Sequence, residues 1–588
     1  MASIQAQISA IFSSAFQQCG FDGSFGIVKE SQRPDLGQFQ CNGALALAKS
    51  AKKNPRVIAR DIVNAVSDNP TFSNLSIEGP GFINISLSDQ FIADHCNSIK
   101  NDTRMGCHKI EKSQTVIIDF SSPNIAKPMH VGHLRSIFLG DSFQRLFNFL
   151  GYNVISDNHI GDWGTPIGML ITELKRRNPD LPYFDEKKTG SYPEKPPITI
   201  SELEDMYPYA NRRCTENENA MAEAIKATEK LQSGRKGYIS LWKHFVNLSV
   251  TALKADYNEL NISFDYWLGE SFYADRMKII TEKLKKNGHA IISDGALIMP
   301  IMEGSDQKEI PPLMLVKSGG GFLYSTSDLA TIDYRVEKFN PDKILYVVDQ
   351  RQHLHFSQVF RAAKKSGIAH PGLFLKHIGF GTINGKDGKP FKTRTGGVMK
   401  LKDLISLVIK KAEERMKEAN IAQDFKKDEQ KDIAEKVCIA ALKYADLMNH
   451  RMSDYIFDID KFCRFEGKTG PYLLYTAVRI KSILRKANEQ NIPEGDILPP
   501  ANTTRSLMLI LSQLPDVLYN ASEGFFPNYI CDFAFSLAQE FNRFYKECHI
   551  LNEECKTLQR SWLSLCKICL KELELALGLL GIEIPDRM

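Results

Sequence analysis

The chain has no apolar run approaching the roughly 18 residues that a membrane-crossing helix needs, so nothing in it is expected to span a bilayer. It has no cysteine framework either. Its twelve cysteines are scattered without regular spacing, and the closest pair, Cys566 and Cys569, falls i,i+3 on an apolar helical pattern that reads as packing. That usage implies a reducing, cytoplasmic setting. Ile4, Ile8, Ile11, Phe12 and Phe16 make an amphipathic stripe, yet no basic residue precedes it and no small-residue cleavage pattern follows, which argues against a leader peptide. Nor is there a surplus of charge. At +4 over 588 residues, a nucleic-acid partner must be met by local patches rather than by a global field. The triple glycine at 319–321 is not followed by Gly-Lys-Ser/Thr, which excludes a phosphate loop of that kind and leaves a hairpin turn.

What is present is organised around residues 115–150. Residues 115–120 form a short, β-branched apolar run of the kind buried in a parallel sheet. Leu134, Phe138, Phe143, Leu146, Phe147 and Leu150 then recur at helical spacing until Gly151 supplies a stop, and 153–156 reads as a second strand. Strand, helix and strand make a βαβ unit, whose ligands bind beyond the carboxyl ends of the strands. His130 and His133 lie at that end, three apart across a helix start, where free N–H groups welcome an anion. Gly132 between them lets a flat base rest on the backbone, and Lys127 adds a mobile charge. The group suits a nucleotide phosphate. A metal would want a third ligand that the nearby sequence does not offer.

Ser121-Ser122-Pro123-Asn124-Ile125-Ala126-Lys127-Pro128-Met129-His130-Val131-Gly132-His133 resembles the signature of class I aminoacyl-tRNA synthetases, in the extended form found in arginyl-tRNA synthetases. The likeness continues in Gly161-Asp162-Trp163-Gly164, Gly269-Glu270-Ser271, residues 324–328, 349–353 and 578–582, and so covers nearly the whole chain. It implies a multidomain α/β plus all-α fold: a Rossmann-like parallel-sheet catalytic domain with insertions, an N-terminal α/β additional domain and a C-terminal helical anticodon-binding bundle. The boundaries expected are 1–112 for the additional domain, 113–400 for the catalytic domain with a connective insertion at about 165–300, 401–436 for a charged helical linker, and 437–588 for the bundle. The proline-rich stretch 178–213 suits a surface insertion rather than a sheet core.

The resemblance also implies the reaction, an ATP-dependent activation of L-arginine followed by transfer to tRNA(Arg), with Mg²⁺ accompanying ATP and no tightly bound cofactor. By the same likeness Pro123, His130, Gly132 and His133 meet ATP, with Lys127, His130 and His133 acting on its phosphates. Asp119, Asn124, Glu270, Tyr324, Asp328 and Gln352 would surround arginine. A guanidinium is a rigid fork of donors, so Glu270 and Asp328 suit it, with Tyr324 covering its plane. The second signature loop departs from the usual Lys-Met-Ser-Lys-Ser pattern. Here Lys392, Thr393 and Arg394 occupy it, with Thr393 where a lysine is expected and Lys127 standing in for the missing cation. Arg451, Phe465, Tyr472 and Tyr475 offer the stacking and phosphate contacts that unpaired tRNA bases need. A soluble, cytoplasmic monomer is expected, with no resident metal and no membrane partner.

Overall fold

The structure is a computed structural model that describes residues 3–385, 388 and 399–588. Contacts gather the chain into two units: Glu111–Val408 with Asn449–Asp458, and Met1–Ile110 with Ile409–Met448 and Ile459–Met588.

The first of these is built on a four-stranded parallel sheet in the spatial order Phe374–Ile378, Lys343–Val347, Thr115–Phe120, Asn153–Asp157. The apolar run expected at 115–120 is an interior strand, nearly all of it buried, because helices cover both faces of a parallel sheet. The crossover helix Leu134–Leu150 ends at Gly151, whose φ of +94° is the left-handed stop that glycine adopts freely. The other half of the sheet begins only at Lys343, 186 positions after Asp157 ends the first half. Helices Tyr324–Phe339 and His353–Lys365 pack Leu329, Ile332, Phe356 and Val359 with Ile117 and Ile344 of the strands.

Between the halves lies the insertion, in which Thr165–Arg177, Ile200–Glu216, Glu218–Gln232 and Lys236–Glu259 form a helical cluster around Ile167, Leu170, Leu203, Leu231 and Phe245. The helix Ile200–Glu216 runs through part of the proline-rich stretch and contains Pro208. Proline there removes one backbone hydrogen bond. The helix is secured at its start by Thr199 and Glu202, each side chain bonding the other's backbone N–H.

In the second unit, an antiparallel sheet ordered Val28–Glu30, Phe39–Cys41, Phe82–Leu87, Phe72–Glu78 shares a body with the helices Gly470–Glu489, Asn502–Leu511, Asn528–Glu547 and Lys556–Leu579. Arg505 donates to Asp89 at 2.8 Å and to the Leu87 carbonyl at 2.8 Å. The Asn97 amide and the Ile497 backbone exchange two bonds of 2.8 Å, and Ser3 donates to Asp516 at 2.7 Å. Cys566 and Cys569 are buried here as packing residues. Among the described residues no helix is long and apolar enough to cross a membrane.

Candidate active site

The strand Thr115–Phe120 runs into a loop whose backbone is held in an unusual shape. Ser121, Ser122 and Ala126 have φ of +75°, +47° and +61°. Such conformations cost of order 1–3 kcal/mol each in a residue with a Cβ, so surrounding bonds must impose them. They do. The Ser121 N–H donates to Ser136 Oγ at 2.8 Å, and that hydroxyl donates to the Val347 carbonyl at 2.6 Å, tying the loop to the end of the neighbouring strand. The Ala126 N–H donates to Ser249 Oγ at 3.0 Å. Residues 123 and 125 exchange backbone bonds with Gly161, and Pro123 is buried, offering its carbonyl rather than its ring.

The histidines follow from that loop. The α-helix proper begins at Leu134, and Val131–His133 form one turn of 3-10 helix before it. Nδ1 of His130 accepts from the Gly132 N–H at 3.1 Å, and Nδ1 of His133 accepts from the His130 N–H at 3.1 Å. Each backbone bond occupies one ring nitrogen as an acceptor, so the single proton of the neutral ring is left on Nε2. Both rings stay neutral near pH 7. Burial, then His130 and Lys127, push His133 down to about 3, and burial followed by Lys127 lowers His130. The rings lie against each other, centroids 3.9 Å apart and planes tilted by 35°. A Cβ at Gly132 would come within 2.9 Å of the His130 ring, which is why glycine stands between them. Lys127 Nζ rests 4.8 Å from the centre of the Tyr207 ring, so its charge is at present directed at an aromatic face.

The second signature residues, Lys392, Thr393 and Arg394, lie outside the described residues. The chain immediately after that loop is seen at the histidines. Val131 N–H donates to the Met399 carbonyl at 3.3 Å, Leu401 N–H donates to the Met129 carbonyl at 2.8 Å, and His130 bridges to Lys400.

Beside this lies a group of carboxylates. Glu270 opens a short 3-10 turn, and its carboxyl is pushed up to about 7, chiefly by burial; His159 offsets part of this, while Asp162 and Asp328 add to it. Asp162 is the clamp that positions Glu270. It accepts from the Ser271 N–H at 2.9 Å and from Ser271 Oγ at 2.6 Å, and a Cβ on Gly269 would lie 2.6 Å from its carboxyl group. The two short motifs at 161–164 and 269–271 are therefore one structural feature.

Tyr324 and Asp328 are one turn apart on their helix, with Tyr324 exposed and Asp328 bonded to His355 Nε2 at 2.5 Å. Gln352 and Asn124 are exposed at the same end of the sheet. Asp119, expected near arginine, already has a partner within the chain. It is 4% exposed, and its carboxylate takes a 2.6 Å bond from Arg335, which also reaches Asp157 at 2.8 Å. Any ammonium at Asp119 has to share it with that internal cation.

Sequence reasoning missed Arg335, Asp157, His159 and His355 as members of this neighbourhood. Among the described residues no cluster of three His, Cys, Asp or Glu is placed to hold a metal ion. Of the residues expected to face tRNA, Arg451 belongs to the unit that carries the parallel sheet, where its guanidinium donates to the Gly379 carbonyl at 2.6 Å and its carbonyl accepts from the Gly381 N–H. It braces the chain beyond the strand Phe374–Ile378. Tyr472 accepts from Asn542 at 2.9 Å. Phe465 and Tyr475 remain on the surface of the helical part, ring centroids 6.5 Å apart, with the Arg479 guanidinium 4.8 Å from the Tyr475 ring centre.

A parallel sheet with paired histidines at its carboxyl edge, interrupted by a helical insertion and followed by a helical bundle, defines a class I tRNA synthetase. The family described as "tRNA synthetases class I (R), catalytic domain" matches residues 95–459. "Arginyl tRNA synthetase N terminal domain" matches 2–87, and "DALR anticodon binding domain" matches 473–588. The arginine–tRNA ligase of Alkaliphilus oremlandii is 47% identical over 99% of both chains, and that of Maricaulis maris 46% identical over the whole of both. The crystal structure of Plasmodium falciparum arginyl-tRNA synthetase matches the full chain with a TM-score of 0.81 at 28% identity. The Thermus thermophilus arginyl-tRNA synthetase shares the fold, with a TM-score of 0.80 at 20% identity. The chain belongs to the arginyl-tRNA synthetase family.

Proposed function

We propose that Glu270 and Asp328 receive the guanidinium of arginine while His130 and His133 hold the phosphates of ATP. The overall reaction is that of the family: arginine is activated with ATP and attached to tRNA(Arg). In the mechanism we favour, an oxygen of the arginine carboxylate bonds to the α-phosphorus of ATP, and the bond from that phosphorus to the bridging oxygen breaks. Pyrophosphate leaves with the bonding pair, and arginyl-adenylate remains. A ribose hydroxyl at the tRNA terminus then attacks the activated carbonyl, AMP departs, and the arginyl ester is complete.

The two histidines fit this work as neutral donors. Each presents an Nε2–H toward a phosphate oxygen, with its other nitrogen fixed by the backbone, so no reorganisation accompanies the growth of charge. Lys127 leaves the Tyr207 face and moves to the phosphates. Lys392, Thr393 and Arg394 join from the second loop, an assignment supported by the bonding of residues 399–401 beside the histidines. Magnesium travels with the nucleotide, and each step above uses the chain's own groups.

The observation that carries the arginine reading is the convergence of carboxylates. Burial, with Asp162 and Asp328 adding to it, pushes the Glu270 carboxyl up to about 7, and a cation arriving between Glu270 and Asp328 relieves this. Lysine brings only a point charge. Each charged partner left without its bond costs roughly 1.5–3 kcal/mol, and two such losses give discrimination of about 10² to 10⁴. Phe465 and Tyr475 are the aromatic residues we assign to unpaired tRNA bases; Tyr472 lies on the same helix as Tyr475, and Arg451, in the other unit, is already engaged with the Gly379 carbonyl.

Asp328→Asn tests the assignment. Charging of tRNA is followed with arginine varied at saturating ATP, and then with ATP varied at saturating arginine. The arginine KM is expected to rise steeply with little change for ATP. Equal effects on both substrates would remove the guanidinium role.

A further inference from the structure

Asp328 is already bonded to a titratable partner of the chain's own. His355 Nε2 lies 2.5 Å from Asp328 Oδ2, in the first turn of the helix His353–Lys365, and both side chains are largely buried. Burial alone would strip the proton from this imidazole, but the hydrogen bond and charge of Asp328 more than offset it, and the affinity of His355 for its proton is raised. We propose that His355 is an internal stand-in for the substrate's guanidinium, a cation that occupies Asp328 until arginine displaces it. The inference rests on the assignment of Asp328 to the guanidinium.

The surroundings define what such an exchange involves. The charged group facing His355 is Asp328, from helix Tyr324–Phe339. Asp328 faces Glu270, and Glu270 also faces His159, Asp162 and the Tyr324 hydroxyl. With arginine absent, the carboxylates are quieted in two ways: Asp328 by the imidazolium, Glu270 by holding a proton. The arriving guanidinium replaces both. His355 gives up its Nε2 proton to solvent, Glu270 gives up its own, and one delocalised cation then spans the two carboxylates in their place.

Two consequences follow for specificity. A ligand must supply enough bonds to repay the displaced His355–Asp328 contact, which a bidentate guanidinium does and a single ammonium does not. Binding also becomes linked to proton release, so arginine is held more tightly as pH rises.

The experiment is tRNA charging by the full chain at saturating ATP and tRNA, with the arginine KM measured from pH 6 to 8 for the unaltered protein, His355→Gln and His355→Ala. Each proton that must leave before arginine binds adds a limiting slope of minus one to log KM against pH on the acid side. The unaltered protein is expected to approach minus two, and both variants minus one, with Glu270 the remaining group. Because the histidine's affinity lies above the ordinary 6.5, removing its competition should lower the arginine KM at pH 6 by about fourfold or more.

A KM that rises at every pH in both variants would make His355 a residue that orients Asp328, and would overturn the proposal. An unchanged slope and KM would overturn it as well. Asp328→Asn, measured alongside, separates the levels. If it raises the arginine KM while the His355 variants do nothing, the stand-in fails and the guanidinium assignment stands; if it too leaves the KM unmoved, the assignment itself has failed.

Discussion

Gly269→Ala adds one methyl group at the point where two loops meet. The new Cβ would lie 2.6 Å from the carboxyl carbon and one oxygen of Asp162 and 2.7 Å from the other oxygen, so the carboxylate has to move. Asp162 is 3% exposed and is fixed by two bonds from Ser271, through its N–H at 2.9 Å and its hydroxyl at 2.6 Å. Moving it breaks at least one of them. A hydrogen bond to a charged group is worth roughly 1.5–3 kcal/mol. Since Glu270 stands between Gly269 and Ser271 in the chain, that loss appears in the arginine pocket. At about 1.4 kcal/mol per factor of ten, kcat/KM for arginine should fall about ten- to a hundredfold. The ATP KM should stay near its starting value, because the histidines are held by a different loop. The assay is tRNA charging with each substrate varied in turn. Gly190→Ala serves as the control, since a Cβ there meets nothing within 4 Å. An arginine kcat/KM within twofold of the parent for Gly269→Ala would refute the clamp and with it the idea that the two glycine-containing motifs act together.

His133→Ala removes one phosphate donor and should lower turnover by about 10²- to 10³-fold in a protein that still folds, read by single-turnover charging and circular dichroism. With His133 already down at about 3, the neutral ring prevails from pH 6 to 8, so the ATP KM should show no histidine titration there; a strong rise on the acid side would mean that the working form is the imidazolium. Glu572, in the helix Lys556–Leu579, is fully buried, and neither of its oxygens has a hydrogen-bond partner among the described residues. Its folded-state pKa is raised well above the ordinary value by burial. In the unfolded chain the carboxyl ionises near pH 4.3, so the folded state loses ground as pH rises from there toward the raised pKa, by up to about 1.4 kcal/mol per unit. Glu572→Gln stays neutral in both states. Its thermal-melting advantage over the parent should therefore widen from pH 5 to pH 8, and an identical shift at the two values would contradict the buried neutral acid.

The local features of this protein were legible because they are short-range. The strand at 115–120, the stop at Gly151 and the strand at 153–156 rest on side-chain pattern and on single residues with a backbone preference, and each stands where the pattern puts it. The helix through Pro208 was hidden because proline usually marks a break, although Thr199 and Glu202 carried a capping signal that favours a helix start. Arg335 was illegible for a different reason. Nothing near it in sequence distinguishes it from a surface residue, and its partners Asp119 and Asp157 are 216 and 178 positions away. The same holds for the bond between His355 and Asp328, 27 residues apart on two helices that the pattern alone does not bring together. Motif likeness names the residues of the pocket; only the assembled fold shows which of them already have a partner.

The body that contains the N-terminal sheet also contains the final helix, and this fixes an order of events during synthesis. Arg505 meets Asp89, Asn97 pairs with the backbone at Ile497, and Lys571 donates to the carbonyl of Lys100, links that join positions some four hundred or more residues apart. A ribosome adding about 5–20 residues per second needs roughly 20–80 seconds to cover that distance. For that interval the early strands and the helix Asp89–Lys100 exist without their later partners, with Ile92, Cys96 and Ile99 still awaiting the cover they have in the finished protein. The nascent chain therefore carries an open apolar seam for most of its translation, and a chaperone that recognises such seams would find its substrate in the growing polypeptide rather than in the released one.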